Sequence, residues 1–110
     1  MNWQTLSAPE QLEDINKLSE SVPVLFFKHS TRCSVSAMAK RKLESEWRFS
    51  DNQIIPYHLD LLANRTVSNK IAEDYSVNHQ SPQVLLIKNG KCIFHASHHD
   101  IDADDIAPLL

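Results

Sequence analysis

Residues 22–28, Val-Pro-Val-Leu-Phe-Phe-Lys, leave an extended chain with no polar face, and this run most narrows what the protein can become. A strand apolar on both sides needs cover on both, which helices above and below a sheet provide. Pro23 falls at the start of the run, where a missing N–H does little harm. The unbroken apolar stretch Val22–Phe27 is far shorter than the roughly 20 residues that cross a bilayer.

The neighbouring segments supply the cover. Ser7-Ala8-Pro9-Glu10 reads as a helix start, with Ser7 as cap, Pro9 in the first turn and Glu10 completing a capping box. Leu12, Ile15 and Leu18 then recur at helical spacing. After Cys33 the steps of four at Val35, Ala39, Leu43 and Trp47 predict an amphipathic helix, with Lys40, Lys42, Glu44 and Glu46 mostly on the other side. Gln53–Asp60 reads as another strand, with Pro56 acceptable in it only at an edge or bulge. Val67, Ile71 and Tyr75 mark a third helix.

Gln83–Lys88 and Lys91–Ala96 flank Asn89-Gly90, the strongest short hairpin signal. Gly90 is the only glycine, placed where a type I′ turn needs positive φ. From Asp100 the tail is acidic, then apolar, and predicts a short closing helix limited by Pro108. With a first strand around Trp3–Leu6 the order is β-α-β-α-β-α-β-β-α. That is an α/β, thioredoxin-like fold: a mixed central sheet with helices on both faces, parallel except for the terminal hairpin. No repeat or linker interrupts the 110 residues, so one domain over 1–110 is expected.

A net charge of −3 and one basic cluster, Lys40-Arg41-Lys42, inside a helical pattern argue against nucleic acid as partner. The N-terminus lacks a basic segment followed by an apolar one, so a cytoplasmic, non-membrane protein is expected. In that reducing compartment two cysteines point to catalysis, metal binding or inert packing rather than a structural disulfide.

Cys33 falls at the strand-to-helix junction. Unpaired N–H groups and the positive end of the helix dipole favour a thiolate there, as does Arg32 next to it. Ser36, one turn on, takes the place of the second cysteine of a C-x-x-C motif, and its hydroxyl is expected to hydrogen-bond the Cys33 thiolate. A hydroxyl cannot resolve a mixed disulfide, so an outside thiol must. Ser81-Pro82 precedes a strand, where a cis bond would turn Ser81's backbone toward an extended substrate. Thr31 and His29 are placed with them in the substrate site, and Ser34 with Arg32 and Ser36 around the thiolate. Cys92, on the hairpin, reads as a packed thiol. His95, His98 and His99 match no strong metal spacing and read as a solvated loop, so no metal is expected.

The segments FFKHSTRCSVS and VSNKIAEDYSVNHQSPQVLLIKNGKCIFHASHHDI resemble the monothiol bacilliredoxin (YtxJ-like) family of thioredoxin-fold proteins. The resemblance implies reduction of mixed disulfides between proteins and bacillithiol, a low-molecular-weight thiol. It puts the nucleophile on Cys33, the motif serine on Ser36 and the cis-proline on Pro82. Members commonly carry Thr-Cys-Pro-Ile-Ser, whereas this chain has Arg32-Cys33-Ser34-Val35-Ser36, which bears on which thiol is accepted.

The expected activity is thus a monothiol thiol–disulfide oxidoreductase. Its partners are S-thiolated proteins, the small thiol as co-substrate and a thiol reductase, with no bound cofactor. Two rivals remain. One is a thioredoxin-like binding module without redox turnover. The other is an iron–sulfur carrier like the monothiol glutaredoxins, although the glycine-phenylalanine pair of such proteins is missing between Cys33 and Ser36.

Overall fold

A computed structural model describes residues 1–110. Its elements are β1 (Gln4–Thr5), α1 (Gln11–Leu18), β2 (Val24–His29), α2 (Ser34–Glu46), β3 (Ile55–Asp60), α3 (Arg65–Tyr75), β4 (Gln83–Lys88), β5 (Lys91–Ser97) and α4 (Ala103–Ile106). One five-stranded sheet has the order β1-β3-β2-β4-β5. β1, β3 and β2 run parallel, and β4 and β5 are antiparallel to their neighbours. This is the mixed thioredoxin-like sheet that the strand and helix periods predict.

β2 lies at the centre, and every one of its residues is buried. Val24 and Phe26 join Leu12, Ile15, Val67 and Ile71 beneath α1 and α3. Leu25 and Phe27 face the opposite layer, with Ala39, Leu43, Ile101 and Ile106 of α2, α4 and the turn before α4. Successive strand residues point to opposite faces, so the same alternation sends Lys28 toward α3 and His29 toward α2.

Two local expectations need correction, and a third, on Pro56, is met in an unexpected place. Ser7 and Glu10 form no capping box: the helix starts at Gln11, and no side chain caps it. The Gln11 Oε1 instead accepts the N–H groups of Ser7 and Ala8 at 2.8 and 2.9 Å, which moves the start one turn on. The α2 line holds at Ala39 and Leu43, with Trp47 packed against the same core, but in the first turn Ser36 rather than Val35 is the buried residue. Pro56 sits inside the sheet opposite Leu25. The Ile55 N–H bonds Pro23 O on the β2 side, so Pro56's position turns toward β1, whose pairing covers only Tyr57 and His58. No ladder bond is lost there.

The hairpin turn is as predicted, with φ of 52° at Asn89 and 75° at Gly90. It is tied to α1: the Gly90 N–H donates to Ser19 Oγ at 2.8 Å, and the Asn89 N–H to Ser19 O at 2.9 Å. A Cβ on Gly90 would stand 3.3 Å from Asn16 Nδ2. Gly90→Ala is expected to cost about 1–2 kcal/mol, the usual penalty of a left-handed conformation for an L residue. A urea unfolding midpoint checks this, and an unchanged midpoint would contradict it.

Candidate functional site

The site forms where β2 ends. Cys33 is the N-cap residue of α2, with extended φ and ψ of −112° and 119°. Its N–H bonds Ser30 O at 3.2 Å, closing a tight turn after the strand. No side chain caps the helix and no acidic residue lies in its first turn, so the free N–H groups and the positive end of the dipole act on the half-exposed Cys33 sulfur. Thr31, Arg32 and Ser34 are all exposed around it.

The second wall comes from β4. Lys28 pairs with Gln83, so one residue further the register brings Pro82 opposite His29, beside the turn that carries Cys33. The Ser81–Pro82 peptide is cis. Pro82 O accepts the His98 N–H at 3.0 Å, which leaves Ser81 as the loop's uncommitted residue. The Ser81 Oγ is buried and makes no hydrogen bond within the chain. A substrate atom that reaches it would satisfy it.

Two of the predicted site residues stand elsewhere. Ser36 is fully buried and does not bond Cys33. Its Oγ accepts the Ser30 N–H at 3.1 Å and lies 2.6 Å from His29 Nδ1. His29 is only 9% exposed and sits beneath α2 rather than on the docking surface. His29 is the last residue of the buried central strand and faces α2, and Ser36 in the first turn of α2 lies over it and is held there by its two hydrogen bonds.

On the other face, Lys28 is wholly inaccessible. Its ammonium donates to Ser68 O at 3.1 Å and to His79 Nδ1 at 3.3 Å. Burial pulls its pKa from 10.5 down to about 8. His79 belongs to the loop leading to Pro82; burial first, then Lys28 and Arg65, lower its pKa. Gln83 holds the same loop by donating to Asn78 O at 3.1 Å and accepting the Gln80 N–H at 3.3 Å. Each wall therefore hangs from one of two consecutive residues of β2. Sequence reasoning missed Lys28, Ser68 and His79; a charged residue closing an apolar strand was the available signal.

A cavity of about 170 Å³ lies alongside α2, lined by Val35, Met38, Ala39 and Lys42 together with His98, His99 and Ile101. A larger open cleft of about 660 Å³ between α1 and α3 borders Gly90, at the far end of the sheet from Cys33. His95, His98 and His99 are exposed, and nowhere do three His, Cys, Asp or Glu side chains converge as metal ligands would. No helix is long and apolar enough to cross a membrane.

Cys92 is remote from this site. It pairs with Ile87, and Ile87 with Val24, five strand residues or about 17 Å before His29. A disulfide needs Cα atoms within about 7 Å, so the two thiols cannot meet. The Cys92 thiol donates to Phe94 O at 3.3 Å, and burial raises its pKa. It is the packed thiol its strand position predicts.

Comparison with known proteins agrees with this geometry. The chain is similar to a candidate oxidoreductase with a thioredoxin fold, at 27% identity and a TM-score of 0.82, over 96% of this chain and 91% of that one. Thioredoxins share the fold at 16% identity. That of Malassezia sympodialis (Mala s 13) has a TM-score of 0.76 with 96% and 87% of the two chains covered. That of Fasciola hepatica has 0.73 with 96% and 94% covered. The family model for the monothiol bacilliredoxin BrxC matches residues 4–106. A lone thiol at a helix start, faced by a cis-proline and out of reach of the second cysteine, fits that match: the chain belongs to the monothiol bacilliredoxin family, and its function is of the thiol oxidoreductase kind.

Proposed function

We propose that the protein reduces mixed disulfides between proteins and a small thiol, bacillithiol or one like it, through Cys33 alone. The observation that carries this reading is the isolation of Cys33, half-exposed at an uncapped helix start with Cys92 well beyond disulfide reach. The Cys33 thiolate attacks the small-thiol sulfur of an S-thiolated protein. The old S–S bond breaks, its electron pair leaves with the target's sulfur, and a new disulfide joins Cys33 to the small thiol. A second small-thiol thiolate, or a thiol reductase, then attacks that disulfide and returns Cys33 as thiolate. No bound cofactor or metal enters either step.

The chain's residues have separate parts in this. The α2 N–H groups and exposed Arg32 lie beside the attacking sulfur, with Ser34 in the same first turn. Thr31, Ser81 and the cis-Pro82 loop receive the target's extended backbone. The cavity of Val35, Met38 and His98 accommodates the non-sulfur part of the small thiol. A reducing cytoplasm, where small thiols are abundant, is the setting the cycle needs.

Intact mass spectrometry tests the reading. Reduced protein is mixed with a bacillithiolated substrate protein, and the adduct is expected to move onto Cys33. A substrate that keeps its adduct while Cys33 stays free would refute the activity and favour a non-catalytic binding module.

A further inference from the structure

The loop that carries the cis-proline joins two borders of opposite charge. At its start, His79 Nδ1 lies 3.3 Å from the Lys28 ammonium and 3.2 Å from the Oγ of Ser68, one turn into α3. At its end, Pro82 O accepts the His98 N–H at 3.0 Å, in the turn between β5 and α4. Both borders belong to the Cys33 end of the sheet. The Leu61 N–H, where the chain leaves β3 for α3, bonds His29 O at 3.0 Å, and Ser97 at the end of β5 pairs with Gln83.

The α3 border is cationic. Arg65, the first residue of α3, is exposed, forms no ion pair and lies near enough to His79 for its charge to be felt there. Lys28 adds a wholly buried ammonium without a carboxylate partner. Residues 61–68 and 76–82 contain no Asp or Glu. Asp60 is the acid closest in the chain, and its Oδ1 is taken by the N–H groups of Leu62 and Ala63 at 3.1 and 3.4 Å. The border beyond Pro82 is anionic. Asp100, Asp104 and Asp105 are exposed and form no ion pair, while Asp102 is paired with Lys42 at 3.6 Å.

We propose that the docking surface is polarised, and that the protein selects S-thiolated segments with acidic residues on one side of the modified cysteine and basic residues on the other. The target's backbone runs along Ser81–Pro82 as an added strand would, its acidic flank toward Arg65 and its basic flank toward Asp100. Residues 79 to 82 span three steps of about 3.3 Å, so the charges that matter lie within about four positions of the cysteine. The chain's net charge of −3 alone would favour basic residues on both flanks. Two opposed borders select their order instead. The inference rests on Cys33 taking the small thiol from a target that lies in this groove.

Two peptides of identical composition test this. Each carries one bacillithiolated cysteine between a pair of Asp and a pair of Lys, in opposite orders. Their second-order rate constants for transfer to Cys33 are expected to differ about tenfold at about 20 mM salt, the combined effect of a few exposed charge pairs. The gap should close to about twofold at about 0.5 M salt, where charges are screened within a few ångströms. Equal rates at low salt would overturn the proposal. Arg65→Glu suits the first turn of a helix and is expected to cut the preference to about twofold or reverse it. A preference that survives this variant, or a variant that slows both peptides equally because Arg65 serves the small thiol instead, would overturn the proposal. Lys91→Glu makes the same change of charge at the far end of the sheet and should keep the preference. Its loss there would trace the effect to net charge and count against polarised borders. Binding of the same peptides to Cys33→Ser, followed by fluorescence anisotropy, separates this inference from the transfer reading. Transfer without any preference loses this inference alone. No transfer from either peptide, with one order still bound about tenfold tighter, loses the transfer reading alone.

Discussion

Cys33→Ser is expected to lower small-thiol transfer by at least about a thousandfold, the scale on which removal of a nucleophile acts. A serine hydroxyl is not ionised near neutral pH and does not open a disulfide, and nothing else within reach replaces the thiol. Cys92→Ser is the informative companion. Cys92 is half-buried, its thiol is engaged with Phe94 O, and its raised pKa keeps it protonated. That variant should transfer within about twofold of wild type, because no step in a one-thiol cycle passes through Cys92. Stopped-flow transfer rates for both variants check the pair. A Cys92→Ser protein that takes up the adduct but never releases it would show that Cys92 resolves, and would end the monothiol reading.

The second large effect is on stability. Lys28 is inaccessible to solvent, and its pKa falls from 10.5 to about 8 on folding. Between those values the unfolded chain holds a proton that the native protein has released, so wild-type stability gains with rising pH across that window. At one pKa unit per 1.36 kcal/mol the whole change is about 3 kcal/mol. Lys28→Met keeps the apolar stem and removes the charge. His79 Nδ1 retains Ser68 Oγ at 3.2 Å, while Ser68 O gives up the ammonium. The variant is expected to be about 1–3 kcal/mol more stable than wild type at pH 7, with the gap closing toward pH 10.5. The raised pKa values of Tyr75 and Cys92 act on both proteins in the opposite sense and cancel in the comparison. Urea unfolding at several pH values measures it. A variant less stable than wild type by the same amount at every pH would show that the ammonium's hydrogen bonds outweigh its desolvation. Transfer should also slow in Lys28→Met, because the tether to the cis-Pro82 loop is gone. Stability given up at a working site is a common exchange.

Much of this architecture is legible in the residues. The two-faced run at 22–28 forces a covered central strand, and Asn89-Gly90 sets the hairpin because few other pairs adopt two positive φ values. Cys33 at the junction and the cis-Pro82 follow from their place in that order. What the sequence hides is which polar side chains find partners in the interior. The four-residue step holds at Ala39, Leu43 and Trp47, yet in the first turn Ser36 rather than Val35 is buried, where His29 and the Ser30 N–H offer it partners. A hydrogen bond of that kind outweighs a marginal gain in apolar burial and leaves no trace in a hydrophobic pattern. The same holds for Lys28, whose partners lie 40 and 51 positions away in the chain.

The attachment of both walls to adjacent residues of β2 has a mechanical side. Lys28 grips the loop that ends at Pro82 from one face, and His29 grips the start of α2 from the other. Their Cα atoms are held about 3.8 Å apart by a single peptide unit, the stiffest spacer a chain possesses. The gap between the walls is thus gauged by backbone in the middle of the sheet, not by the loops that border it. Exposed Thr31, Arg32 and Ser34 are then free to change the chemistry of the rim, and so which thiol is welcomed, without altering the width of the opening.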